Sequence, residues 1–257
     1  MRVSINAPVN GTLVYLELMF DFHLFISRYL GNDSTLDKVI AFCVDRGDYV
    51  MLDNYDEGKG NLDSLDIFVS KAIKYKVSEV IVPDTLFDFK DTLEKFDSFM
   101  HTYGTVLKSN NIKICGVAQG KNEEEFQRAY LALVTRGADV IAVPDEVGAC
   151  YTSGRLGYVN FVISVPRLQG RITELHMLGV YKNPSEIFHL SYYPIVRSLD
   201  TTSPIWCGLN DIVFDQWLGT NKKVPKQSPD EYFLCNKICV TEPVLWNLGC
   251  VKLWTKK

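Results

Sequence analysis

Four polar side chains stand directly after apolar runs in this chain: Asp53 after residues 49–52, Asp84 after 79–82 and Pro83, Gln119 after 113–118, and Asp200 after 195–199. The stretch Arg197-Ser198-Leu199-Asp200-Thr201-Thr202-Ser203-Pro204 is the one the others are arranged around: an acid closing an apolar run, followed by small hydroxyl residues and a proline. In a β/α barrel the strand C-termini carry the chemistry, and Asp200 at such a position reads as a nucleophile. Three carboxylates and an amide in one opening suit substitution at a glycosidic carbon. One carboxylate attacks the anomeric carbon, another moves a proton at the base, and the amide with the third acid reads the base by hydrogen bonds. A lone Asp or Asn after a strand is also ordinary turn chemistry. The weight lies in four together, with Gly116 and Gly120 expected to thin the wall around Gln119.

Those residues need elements to position them. Short apolar runs at 13–19, 49–52, 79–82, 113–118, 139–143, 174–178 and 195–199 predict seven strands, with 203–207 as a possible eighth. Between them the apolar spacing is helical, as in Leu36, Val39, Ile40 and Cys43, or in the segment 62–75. Further helices are predicted over 92–107, from the Asn122 cap to Arg136 with Gly137 as its stop, within 154–168, and from Pro184 with Asn183 as cap. Repeated strand–helix units argue a parallel sheet, and seven or eight of them favour a closed (β/α)8 barrel over an open sheet. No Gly-x-Gly-x-x-Gly follows the first run, which removes the dinucleotide-binding signature. Asp53 and Asp200 would come from the second and seventh strands, approaching a substrate from different sides.

A chain of 257 residues accommodates one such barrel, and 47% apolar with 23% charged residues is enough for its core. The domain reading is a catalytic barrel over 1–218 and a Lys-rich extension over 219–257 packed on it. The extension has seven lysines against three acids, so within a net charge of −4 residues 1–218 carry about −8. That basic segment could hold a phosphate backbone or be a solvated surface. Apolar stretches at 12–20 and 158–165 are far short of the roughly 20 residues that cross a bilayer. With no signal-peptide pattern and seven scattered cysteines, a soluble cytoplasmic protein with reduced thiols is expected. His23, among Phe20, Phe22, Leu24 and Phe25, reads as a satisfied core histidine, and no two of the four histidines are close in sequence. Tyr192-Tyr193-Pro194 reads as packing before a strand, with base stacking as the alternative. Arg167 and Arg171 are phosphate candidates that surface charge explains equally well.

Five motifs in order carry a family resemblance: Val50-Met51-Leu52-Asp53-Asn54, Val82-Pro83-Asp84, Gly116-Val117-Ala118-Gln119-Gly120, His176-Met177-Leu178-Gly179-Val180 and Leu199-Asp200-Thr201-Thr202-Ser203-Pro204. From about residue 49 to 208 the chain resembles the tRNA-guanine transglycosylase superfamily, and most closely its short phage and bacterial members that exchange guanine in DNA for a 7-deazaguanine. The resemblance implies that Asp200 forms a covalent glycosyl-enzyme intermediate and that Asp53 is the general acid/base. It implies a base site of Asn54, Asp84, Gln119 and Gly120, with Leu178-Gly179 as one wall. Val143-Pro144 stands where the family has a glycine-rich loop offering backbone groups to the base. The zinc-binding set of the tRNA enzymes is reduced here to Cys235, Cys239 and Cys250, with Cys207 as a conceivable fourth ligand, so buried thiols are the favoured reading and no metal or other cofactor is expected.

The expectation is therefore a pentosyltransferase that exchanges guanine in DNA for a free 7-deazaguanine of the preQ0 type. It would act without a membrane, in the cytoplasm of a cell or of a phage host. The alternatives are the same exchange on tRNA, a hydrolase that releases the base to water, and a non-catalytic barrel that binds nucleic acid. The target base must leave the stack to reach a barrel opening.

Overall fold

The computed structural model describes residues 1–7, 13–31, 35–54, 63–165, 173–181, 183–215 and 240–255. Eight parallel strands make the sheet: β1 (Arg2–Ile5), β2 (Phe22–Ile26), β3 (Tyr49–Asp53), β4 (Glu79–Ile81), β5 (Lys113–Val117), β6 (Val140–Val143), β7 (Glu174–Met177) and β8 (Val196–Thr201). From β2 to β8 each strand pairs with its neighbours in sequence, and β1 pairs with β8, so the sheet curls into a (β/α)8 barrel. The seam between β1 and β2 is bridged by a side chain, Ser4 Oγ accepting from the Leu24 backbone N–H at 2.7 Å.

The helices are α1 (Thr35–Arg46), α2 (Leu65–Lys74), α3 (Phe89–Ser109), α4 (Glu123–Thr135), α5 (Val147–Cys150), α6 (Arg155–Ser164), α7 (Ser185–Leu190), α8 (Ser203–Leu209) and α9 (Glu242–Thr255). Their apolar faces cover the sheet. Helix α1 buries Leu36, Val39, Ile40 and Cys43, and α4 buries Phe126, Ala129, Tyr130, Leu133 and Val134, in each case the spacing of one helical stripe. Asn122 caps α4 through its side chain, accepting from Glu125 N–H at 3.0 Å, and Gly137 follows its end at φ +87°. No helix among the described residues is long and apolar enough to cross a membrane.

Six of the expected strands, from 49–52 to 195–199, are β3 to β8. The first and last are corrected. Residues Leu13–Met19 form a 3-10 helix between β1, with which the barrel starts, and β2, which follows it. A short apolar run signals burial without distinguishing a strand from a buried helical turn. Here Glu17 in the middle of the run turns inward to accept the Ala7 N–H at 3.0 Å. Residues 203–207 begin α8, where Pro204 sits in the first turn, a position that suits a helix start and not a strand. Asp53 and Asp200 therefore lie on the third and eighth strands. The Asn183 cap is also corrected: its main-chain carbonyl accepts from Glu186 N–H at 3.0 Å, while its side chain is taken by the Ser185 hydroxyl. Gly116 and Gly120 face the helices. A Cβ on Gly116 would stand 2.8 Å from Leu133 Cδ2, and one on Gly120 would stand 2.7 Å from Glu125 Cβ. They permit close packing of α3 and α4 on the sheet.

Helix α9 joins the same core. Asn247, fully buried, donates to the carbonyls of Pro204 and Ile212 and accepts from Phe214 N–H, and Trp254 stacks on Phe214 with ring centroids 5.9 Å apart. The contact with α8 runs through Gly208, where an added Cβ would meet Val244 backbone and side-chain atoms at 2.5–2.6 Å. Gly208→Ala is expected to cost about 1–3 kcal/mol through overpacking, read as a lower urea midpoint. An unchanged midpoint would mean that α9 is held elsewhere.

At the end of the barrel where the strands begin, Arg197 makes two hydrogen bonds to the buried Glu79 carboxylate, at 2.7 and 3.1 Å, and Tyr49 donates to Glu79 as well. Paired charge inside the barrel at this end serves stability, in keeping with the division of labour in such folds. Glu17 is different: it is 4% exposed, its Oε2 has no partner, and burial pushes its carboxyl up to about 8. Because the folded protein holds that proton more tightly than the unfolded chain, stability from this group is full below about pH 4.5 and is lost as pH rises towards about 8. Glu17→Gln keeps an acceptor for Ala7 and should flatten the fall in Tm between about pH 5 and pH 9; an unaltered slope would place the ionisation elsewhere.

Candidate active site

The strand ends set the acids at one end of the barrel. Asp53 closes β3, level with Ile26 of β2 and Ile81 of β4, while Asp200 in β8 is level with Ser4 of β1. Asp84 and Gln119 follow β4 and β5 by three and two residues. All four thus gather at the C-terminal opening of the barrel, as the sequence predicts, together with Asn54, Val143, Pro144, Leu178 and Gly179.

Asp200 is 6% exposed, and both its oxygens are held. Asn6 Nδ2 donates to Oδ2 at 2.9 Å, and the Gly179 backbone N–H donates to Oδ1 at 3.0 Å. Gly179 reaches that position at φ +61°, which costs a glycine little. Asn6 is itself oriented by Ser4, whose hydroxyl donates to Asn6 Oδ1 at 3.0 Å. One main-chain and one side-chain donor fix the carboxylate, which would otherwise rotate freely.

Asp53 is half-buried, and its carboxyl sits well above the usual carboxylate range. Desolvation is the largest cause; the negative charges of Asp84 and Asp200 add to it, and the Asn54 backbone N–H opposes it. A carboxyl pushed upward beside one anchored by donors is the pattern by which two similar groups can divide acid and nucleophile roles. Asp84 is also raised, by burial first, against the Gln119 amide that donates to its Oδ2 at 2.6 Å. Gln119 is 2% exposed and accepts from Phe87 N–H at 3.2 Å, so the pair forms a preset donor and acceptor edge. Asn54 donates to the Asp63 carbonyl, while its buried Oδ1 has no partner.

Val143 lies at the end of β6 with its carbonyl taken by Leu178 N–H, and Pro144 is buried beside it. The Leu178 carbonyl accepts from Arg155, which also makes two hydrogen bonds to Glu186. A cavity of about 690 Å³ opens on this side of the mouth, lined by Phe87, Asp145, Glu146, Arg155, Asn183 and Glu186 among others. Asp53, Asp84, Gln119 and Asp200 are not among its lining residues.

Three residues around Asp200 fall outside the sequence-based site. Asn6 and Ser4 belong to Arg2-Val3-Ser4-Ile5-Asn6, whose strict polar–apolar alternation is a strand signal. His176, fully buried beneath Asp200, enters the sequence reading only as part of a motif. His23 is satisfied by Asp48 at 2.9 Å. Its cluster with Cys43 and Asp48 spans less than 4.8 Å, but Arg46 already holds both Asp48 oxygens, so the three form an internal hydrogen-bonded hub. Cys207 and Cys250 are buried free thiols, the former pushed up to about 12 by burial; Cys235, Cys239, Arg167, Arg171 and most of the Lys-rich segment lie outside the described residues. Tyr192 and Tyr193 precede β8, at the end away from the acids, where Tyr192 meets Phe188 edge-on.

Fold and site together define a β/α barrel with an acid pair at the C-terminal end of its strands. No family model matches the chain, and no curated protein does. Among solved structures it is similar to a glycerol uptake operon antiterminator-related protein from Thermotoga maritima, at 17% identity and a TM-score of 0.47, over 80% of this chain and 98% of that one. At that distance no function transfers.

Proposed function

We propose that this barrel is a base-exchange transglycosylase that replaces guanine in DNA with a free 7-deazaguanine. The observation that carries the reading is the pairing in one opening of Asp200, anchored through both oxygens, with Asp53, whose carboxyl is pushed upward by desolvation first and then by the charges of Asp84 and Asp200. Asp200 attacks C1′ of the target nucleotide; the electron pair of the C1′–N9 bond leaves with guanine, and Asp53 gives that base its proton. Ester formation removes the charge of Asp200, one of the causes that hold the Asp53 proton, so Asp53 is left as a carboxylate ready to work as a base. In the second step the incoming 7-deazaguanine attacks C1′ through N9, Asp53 takes the N9 proton, and the C1′–O bond to Asp200 breaks. Two displacements give net retention.

Asp84 and Gln119 supply an acceptor and a donor for the base edge, with Asn54 Oδ1 as a further acceptor and Val143, Pro144, Leu178 and Gly179 around them. No cofactor takes part. The substrate is an intracellular nucleic acid, which puts the protein in the cytoplasm, or in that of the host if a phage encodes it.

The test is incubation with guanine-labelled DNA and, separately, tRNA, with and without a 7-deazaguanine. Release from DNA that requires the free base and vanishes in Asp200→Ala supports the proposal. Release without the base indicates a hydrolase, release from tRNA alone moves the substrate, and no release from either leaves a binding barrel.

A further inference from the structure

The barrel contains a polar chain that the two displacements do not use. At the end remote from the mouth, Arg197 is bound to Glu79 through its two terminal nitrogens. Its remaining Nε donates to Ser198 Oγ at 3.3 Å. Ser198 Oγ is 2.9 Å from His176 Nδ1, and His176 Nε2 is 3.4 Å from Asp200 Oδ1. Ser198 and His176 are both fully buried, and His176 Nε2 has no hydrogen-bond partner.

We propose that His176 is a positioning residue for Asp200: its Nε2–H points at Oδ1 of the nucleophile, and the tautomer that puts the proton there is imposed from the far end of the barrel through Arg197 and Ser198. The proposal rests on the reading of Asp200 as the nucleophile.

The direction of each hydrogen follows from what the partners can do. Arg197 can only donate, so it fills one acceptor site on the Ser198 oxygen, and the hydrogen-bond acceptor that the described residues offer the buried Ser198 hydroxyl hydrogen is His176 Nδ1. A neutral imidazole that accepts at Nδ1 carries its proton on Nε2. The opposite tautomer would aim a lone pair at a carboxylate, which has only acceptors, across 3.4 Å in the buried interior. Oδ1 already accepts from Gly179 N–H, and Oδ2 from Asn6. A donor from below completes the hold on Oδ1 and restricts rotation of the carboxylate about its own axis. The 3.4 Å separation is long for a hydrogen bond, as is common at catalytic groups without substrate.

Two measurements on the full chain test this. In nitrogen-resolved imidazole NMR spectra, His176 should carry its proton on Nε2, with Nδ1 bare, and the Nε2–H resonance should move in Asp200→Asn. A proton on Nδ1, or an Nε2–H indifferent to Asp200→Asn, overturns the proposal. In guanine release, His176→Leu should lower kcat about 100-fold with KM within about twofold, the scale on which a small misplacement of a reacting group acts. His176→Gln, whose side-chain amide nitrogen can stand in for Nε2, should recover about tenfold of that loss. Equal losses in the two variants, or a change confined to KM, also overturn it. If the wild-type protein releases no guanine from DNA or tRNA, the transglycosylase reading fails alone, and the imidazole spectra still decide whether His176 and Asp200 are paired.

Discussion

Asp200→Asn should leave the protein folded and without guanine exchange. An amide oxygen can still accept from Gly179 N–H at the Oδ1 position, so one of the two anchors survives. The other atom becomes an NH2 group facing Asn6 Nδ2, two donors in place of a donor and an acceptor, unless the Asn6 amide turns over. That local mismatch costs about 1–3 kcal/mol, well short of unfolding a barrel of this size. The chemical loss is far larger, because an amide is not a nucleophile towards C1′ and no other carboxylate among the described residues is anchored in this way at that end of the barrel. Loss of a covalent nucleophile usually costs a factor of about 10⁴ or more. The measurement is single-turnover release of labelled guanine, with mass analysis of denatured protein for a glycosyl adduct. Turnover within about tenfold of wild type, or an adduct on another residue, would remove Asp200 from the centre of the mechanism.

The second large effect belongs to Asp53. Asp53→Asn cannot donate a proton to departing guanine, and release should slow by about 10²–10⁴-fold, the usual range for general acid catalysis. The same variant should be much less impaired with 7-methylguanine as leaving group, because that cationic base departs neutral without being protonated. An equal loss with both leaving groups would mean that Asp53 binds substrate and does not move protons. The sign of the pH dependence follows from the upward displacement of its carboxyl by burial and by Asp84 and Asp200. The acid form persists well above the usual carboxylate range, so wild-type release should fall as pH rises through the folded-state value, and that alkaline limb should vanish in Asp53→Asn. Stability runs the same way: the folded state holds the proton more tightly, so this group's contribution is full below about pH 3.8 and is lost as pH rises. Asp53→Asn should therefore unfold at a higher temperature than wild type at neutral pH while losing activity, the trade expected where a strained charge is kept for function.

The barrel is legible in the chain because its central strands are buried on both faces. Segments such as Val140-Ile141-Ala142-Val143 are continuously apolar, the helices between them repeat at helical spacing, and the polar residue that ends each run is where solvent and substrate begin. That pattern is enough to place Asp53, Asp84, Gln119 and Asp200 at one end. Local pattern fails at the two ends of the chain's barrel. The Leu13–Met19 run is as apolar as a strand but folds as a 3-10 helix, whereas β1 and β2 carry Ser4 and His23, whose hydrogen bonds to Leu24 and Asp48 span 20 and 25 positions. Polar residues inside a strand look wrong until their partners are known. The same holds for the site: residue type alone names two aspartates, but not which is the acid. Only the fold buries Asp53 beside two other charges, brings Asn6 across 194 residues to Asp200, and stacks His176, Ser198 and Arg197 beneath it. Apolar periodicity is a property of neighbours in sequence; a proton affinity is set by every group within a few ångströms, and those come from all round the ring.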